Sequence, residues 1–170
     1  HGWTPQSSAT ARDLGLWLQQ EGWSLLSDRA APHTATGEAE ARRWRYATLL
    51  AQARQWNCSH IVTGHTASDR AETLLLNLAR GSHRRGLASL RPSRPLAERQ
   101  LVRPLLIFTR RETAAIIRTA ALPHWPDPSN DDLAYTRNRL RQEVLPILDS
   151  LHPGVERRLA DLAERLAQEE

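Results

Sequence analysis

Three side chains near the middle of the chain are spaced for joint chemistry: His65, Asp69 and Glu72. On an α-helix, positions i, i+4 and i+7 share one face, so an imidazole and two carboxylates would converge within two turns. Such a set can orient an ammonium group or hold a divalent cation near a phosphate. Its spacing matches no specific metalloenzyme pattern. A plainer account also holds. Acids in a helix's first turn favour its dipole, and a His ahead of an N-cap is commonly a hydrogen-bonding residue.

Two arginine groups flank this set. Arg42, Arg43 and Arg45 precede Tyr46 upstream; an Arg facing a cleft suits bidentate contact with phosphate or carboxylate, although most helical arginines are simply solvated. Downstream, Arg137, Arg139 and Arg141 surround Asn138 and place basic groups on more than one helix face, which serves solvation or phosphate binding equally well. The stretch Asp127-Pro128-Ser129-Asn130 reads as a turn. Neither a Gly-rich dinucleotide fingerprint nor a Walker loop occurs, so any phosphate-cradling loop is expected ahead of His1.

The elements that would position these groups can be read from pattern. Residues 60–63 form a short apolar β-like run that turns at Gly64; Thr66 and Asp69 then make a capping box for a helix anchored by Leu74, Leu75, Leu78 and Ala79. A strand passing through Gly into a helix is how α/β proteins present polar groups at the carboxyl end of a parallel sheet. Before it, Ser7 or Ser8 should cap a helix to about residue 20, with Leu14, Trp17 and Leu18 inward and Gly22 ending it. A strand over 23–27, a polar loop over 28–37 and a helix over 38–56, carrying Trp44, Leu49, Leu50, Ala53 and Trp56, follow. This alternation predicts an α/β fold, a partial Rossmann-like parallel sheet with helices on both faces and right-handed crossovers.

Beyond Gly81 the expectation is an exposed Arg-rich loop to 103 containing Pro92 and Pro95, then a strand over 101–106 with Pro104 at an edge or strand end. A second capping box, Thr109 with Glu112, should open a helix to about 121. A proline-rich loop, a helix over 132–148 and a last helix from 153 complete the chain. That last helix bears a stripe of Val155, Leu159, Leu162 and Leu166, expected to find its core on another domain.

Composition narrows the function classes. A chain of 170 residues suits one domain with a real core. The single Cys58 excludes an internal disulfide or thiolate metal cluster and fits a reducing cytoplasm. No apolar run is long enough for a membrane span. There is no Met, and the chain opens on His1, so its natural N-terminus is expected to lie upstream. All 23 basic residues are Arg. Residues 1–79 are neutral, 80–141 carry a net charge of +8 and 142–170 of −4, which points to a localised anionic partner, nucleic acid first.

Taken together, five stretches resemble the tRNA(Ile)-lysidine synthetase family of the PP-loop (N-type) ATP pyrophosphatase group. They are Glu38 with Ala41-Arg42 and Arg45-Tyr46; Thr63-Gly64-His65 through Asp69, Glu72-Thr73 and Arg80-Gly81; Arg103-Pro104-Leu105-Leu106; Asp127 to Asn130; and Arg137-Asn138-Arg139 with Arg141 and Pro146. Each is weak alone, and their order makes the set specific. The family commonly has His where Thr66 stands and Asp where Ser68 stands. Its Ser-Gly-Gly-x-Asp-Ser loop, which holds the ATP phosphates, is expected before the segment His1-Gly2-Trp3.

The resemblance implies ligation of L-lysine to the wobble cytidine of a tRNA(Ile) with a CAU anticodon. The base is activated by ATP with Mg2+, AMP and pyrophosphate are released, and the setting is the cytoplasm. It places Arg45, Asp69 and Glu72 at the chemistry, Gly64 and His65 on the nucleotide side, and Arg80, Arg84, Arg85, Arg137, Arg139 and Arg141 on tRNA. Residues 1–150 would be the catalytic domain and 151–170 a linker helix toward a C-terminal domain. The chain alone, without the phosphate loop, is expected to be inactive; the metal site and homodimerisation stay open. Two alternatives are a 2-thiolation relative, disfavoured by the lone Cys58, and a non-catalytic RNA-binding module.

Overall fold

The structure, a computed structural model, describes residues 5–30 and 37–169. The segment His1-Gly2-Trp3 and most of the polar loop expected over 28–37 lie outside these residues. Two compact units are present, and they do not follow the expected division at residue 150. The first takes in the described residues up to Ile61 with Leu96–Arg99 and Trp125–Asp127; the second takes in Val62–Pro95, Gln100–His124 and the described residues from 128 onward.

The first unit is built from α1 (Pro5–Gln20) and α2 (Glu38–Gln55). Both end in Schellman motifs. After α1, Gly22 has φ 74° and the Trp23 amide donates to the Leu18 carbonyl; after α2, Asn57 has φ 50° and the Cys58 amide donates to Ala53. The expected cap at Ser7 or Ser8 is displaced, because the helix already starts at Pro5, a residue pre-set for a first helical turn. Residues 23–27 form no strand, and Trp23 is 69% exposed. A run of strand-type residues needs a neighbour to pair with, and none of the described residues pairs with it. Trp56 is likewise exposed rather than packed.

The second unit is organised around α3 (Ala67–Ala79), which follows β1 (His60–Val62). The capping box forms as expected: the Asp69 amide donates to Thr66 Oγ1, and Asp69 Oδ2 accepts from the Thr66 amide at 2.7 Å. Ala67, Ala71 and Leu74 are buried, but so are Ser68, Arg70 and Glu72, so the helix is enclosed on more than one side. Leu78 and Ala79, expected in the core, are exposed; Leu76 is buried instead. Gly81, with φ 68°, closes the helix in another Schellman motif.

The segment expected as an exposed loop contains α4 (Arg84–Leu87) and a hairpin of β2 (Ser93–Leu96) and β3 (Arg99–Val102). The sheet order is β1-β3-β2, a mixed Rossmann-like arrangement rather than a parallel one throughout. Pro95 is tolerated because β2 is an edge strand. The expected strand over 101–106 therefore begins earlier, lies in the middle and stops at Val102. Pro104 opens a 3-10 turn, Pro104–Ile107. Arg103 is not solvated: it is buried, and its Nη1 donates to the Arg91 carbonyl at 2.7 Å.

Then come α5 (Arg110–Thr119), capped by Thr109 and Glu112 as expected, and a 3-10 turn, Pro128–Asp131. The expected helix over 132–148 starts later, as α6 (Thr136–Arg139). It passes through a π-helical turn (Leu140–Val144) into α7 (Leu145–Leu151). In a regular helix the Pro146 ring would meet the Gln142 carbonyl, and the widened turn ahead of it relieves that clash. The last helix, α8 (Val155–Gln168), packs on α3 with its Ala160 and Ala163 buried, rather than lacking a core in this chain. Arg70 ties the two together, donating to Glu164 and, through Nε and Nη2, to the Leu90 carbonyl.

Candidate active site

Within the second unit, α3 projects Asp69 and Glu72 from successive turns toward the start of α5. Asp69 Oδ1 accepts from Arg110 Nη2 at 2.9 Å, and Glu72 Oε1 accepts from Arg110 Nη1 at 3.0 Å. One planar cation touches both carboxylates, so the two oxygens lie within reach of a single positive centre. Glu72, with 1% of its side chain exposed, is also gripped by Arg141, whose Nε donates to Oε1 at 2.8 Å and Nη2 to Oε2 at 3.2 Å. The hydrogen bond to Glu72 raises the Arg141 pKa above its ordinary value.

Local sequence explains how Arg110 arrives there. The Thr109–Glu112 capping box makes it the first helical residue of α5, and its amide donates to the buried Ser68 Oγ at 2.8 Å. That box also draws the Glu112 carboxyl below its ordinary pKa, through the Thr109 amide and hydroxyl first and Arg157 after them. Arg110 was missing from the residues singled out in the sequence. Its only local signal is a place just after a helix cap, which says nothing of a partner 38 residues away.

The alternative of a metal cluster at His65, Asp69 and Glu72 is not supported. His65 Nδ1 pairs with Thr63 Oγ1 at 2.9 Å, while the carboxylates face guanidiniums. Among the described residues no group of three or more His, Cys, Asp or Glu side chains is placed to hold a metal ion. At the turn between β1 and α3, a side chain at Gly64 would meet nothing within 4 Å, so the turn borders open space. At the start of α3 the Ala67 amide donates to the Phe108 carbonyl and the Asp69 amide to Thr66 Oγ1, so two of its first three amides are already engaged.

A groove of about 630 Å³ adjoins the cluster, lined by Arg111, Arg141 and Arg157 against Glu112, Asp149 and Glu156, with Leu145 and Pro146 on its apolar side. Three cations against three anions give it no preference for either sign of ligand.

Residues 2–148 match the PP-loop domain family. The chain belongs to that family. Curated relatives include the tRNA(Ile)-lysidine synthase of Parasynechococcus marenigrum (strain WH8102), 50% identical over 99% of this chain and 51% of its own length. The enzyme of the same name from Synechococcus sp. (strain ATCC 27144 / PCC 6301 / SAUG 1402/1) is 50% identical over 99% of this chain and 52% of its own. The chain thus spans about half the length of the curated relatives it matches. Among solved structures, the U34-tRNA thiolase NcsA from Methanococcus maripaludis with its [4Fe-4S] cluster is similar in fold. Its TM-score is 0.70 at 14% identity, covering 94% of this chain and 56% of that one.

The other residues expected to act in this PP-loop domain are spread over both units. Arg45 is exposed on α2 of the first unit, where the Arg42 guanidinium also stacks 5.2 Å from the Tyr46 ring centroid. In the second unit Arg80 and Arg85 are exposed, and Arg84 donates to the Glu169 carbonyl. Arg139 is exposed and pairs with Glu143 at 3.1 Å, while Arg137 is half-buried. Asn138, read in one motif with them, is buried; its Nδ2 donates to the Ser129 and Asp132 carbonyls and fastens the 128–132 turn. Arg141, expected on tRNA, is instead engaged with Glu72.

Proposed function

We propose that this chain is the catalytic part of a tRNA(Ile)-lysidine synthetase, which joins L-lysine to the wobble cytidine of a tRNA(Ile) with a CAU anticodon in the cytoplasm. The observation that carries the reading is the Asp69–Glu72 pair, two carboxylates already spanned by one cation. Identity of 50% to enzymes of that name supports the same choice. ATP would convert the C2 carbonyl oxygen of the base to an adenylate with loss of pyrophosphate, and the lysine amine would then displace AMP at that carbon. In this scheme Asp69 and Glu72 orient the amine, and a carboxylate adjacent to it takes up a proton as the C–N bond forms.

Arg45 would assist the chemistry, and Gly64 and His65 would border the nucleotide. Arg80, Arg84, Arg85, Arg137 and Arg139 would grip tRNA phosphates, which positions the RNA without reading its sequence. Arg141 is assigned to holding Glu72 rather than RNA. Mg2+ is expected with ATP, but among the described residues no group of three or more His, Cys, Asp or Glu side chains is placed to hold it. Residues 151–170 would lead toward a further domain, α8 remaining packed on α3.

The test is incorporation of radiolabelled L-lysine into a tRNA(Ile) CAU transcript by the intact protein with ATP. Asp69→Asn should reduce the rate at least tenfold at subsaturating lysine. No incorporation by the unmodified protein, or an unchanged rate in the variant, would overturn the assignment.

A further inference from the structure

The two carboxylates do not stand open. Asp69 Oδ2 accepts from the Thr66 amide and hydroxyl, Asp69 Oδ1 and Glu72 Oε1 accept from Arg110, and both Glu72 oxygens accept from Arg141. Two carboxylates and two guanidiniums sum to zero charge, so an arriving ammonium finds no net attraction and no carboxylate oxygen without a donor already on it. It gains a countercharge of its own there when one guanidinium withdraws. Arg141 is the poorer candidate, since it is bidentate on Glu72 and 25% exposed. Arg110 makes a single bond to each carboxylate and is 40% exposed, so its head can turn to water.

Resting on the reading that Asp69 and Glu72 hold the substrate amine, we propose that Arg110 is the resident cation of that site and exchanges with the substrate ammonium. The exchange keeps the charge of the cluster unchanged, and Glu72 stays neutralised by Arg141 throughout. Arg110 is then a specificity-determining residue. A tethered guanidinium competes with every amine that enters, and a simple amine with no second anchor cannot displace it. An amino acid, which has further groups to bind, can.

The test uses the intact protein and two probes, L-lysine and methylguanidine, with binding followed by calorimetry. Arg110→Gln should bind L-lysine about tenfold more tightly, the scale of losing one charge-assisted competitor. It should also allow methylguanidine to compete with lysine, which the unmodified protein resists; a purely structural role for Arg110 would not create that competition. Arg110→Lys, which keeps the charge but gives up the planar fork and some length, should fall between, and it decides the matter if Arg110→Gln does not fold. Unchanged or weaker lysine binding in a folded Arg110 variant, with Asp69→Asn still abolishing binding, overturns the exchange and leaves the functional reading standing. Lysine binding that is indifferent to Asp69→Asn removes both.

Discussion

Glu72 should be the costliest single carboxylate in the second unit, and a double-mutant cycle with Arg141 measures why. Its side chain is buried and accepts three charge-assisted bonds, two from Arg141 and one from Arg110. Breaking a fully buried ion pair by removing one partner costs roughly 3–5 kcal/mol. Here the guanidiniums are partly exposed and a glutamine would keep one acceptor oxygen, so Glu72→Gln should cost about 2–3 kcal/mol. For a chain of this size that lowers Tm by about 4–12 °C. Arg141→Gln leaves Glu72 with Arg110 alone and should cost a similar amount. The double variant, which strands neither charge, should fall short of the sum by about 1.5 kcal/mol or more. Urea unfolding followed by far-UV circular dichroism reads all three. Additivity within about 0.5 kcal/mol would mean that the two side chains do not support each other, and the account of the buried pair would be wrong.

Three further outcomes follow from the geometry. Ala121 holds φ 50° where a Schellman motif closes α5, so Ala121→Gly should stabilise the protein by about 0.5–1 kcal/mol in the same unfolding assay. Thr66→Ala removes the N-cap oxygen of α3 and should cost about 1 kcal/mol, with loss of slow amide exchange concentrated at the start of that helix. The Arg54 hydrogen bond, ahead of a backbone bond, holds Glu98 at a pKa of about 2 against an ordinary 4.5. Its contribution should be complete above pH 4.5 and fade as the pH falls toward 2. Thermal melts of Glu98→Gln should show a shallower acid limb over that window, and an unchanged limb would exclude the pair as its source.

What could be read from the sequence was what depends on neighbours along the chain. The capping boxes at Thr66 and Thr109 are complete within four residues, and both form. The Gly22 helix stop has the same local character. Strand identity failed where pairing decides it: residues 23–27 have the composition of a strand but no partner among the described residues, whereas residues 93–96 pair as an edge strand despite Pro95. The carboxylates of the candidate site were legible because helical spacing places them on one side. Their cations were not, since Arg110 and Arg141 reach Glu72 across 38 and 69 residues. In a chain whose basic residues are all Arg, composition cannot separate a buried Arg70 or Arg103 from a solvated one.

The Thr66–Asp69 capping box has a consequence for binding that concerns entropy. One carboxylate oxygen is fastened to the Thr66 amide and hydroxyl, both at 2.7 Å, so the other is presented in a fixed direction. An ordinary surface aspartate samples several rotamers, and a ligand that immobilises such a side chain loses roughly 0.5–1.5 kcal/mol of affinity in doing so. At Asp69 that freedom is already gone once α3 has formed. The signal that starts the helix therefore also pre-organises the carboxylate, and substitutions at position 66 should weaken ligand binding without touching the ligand.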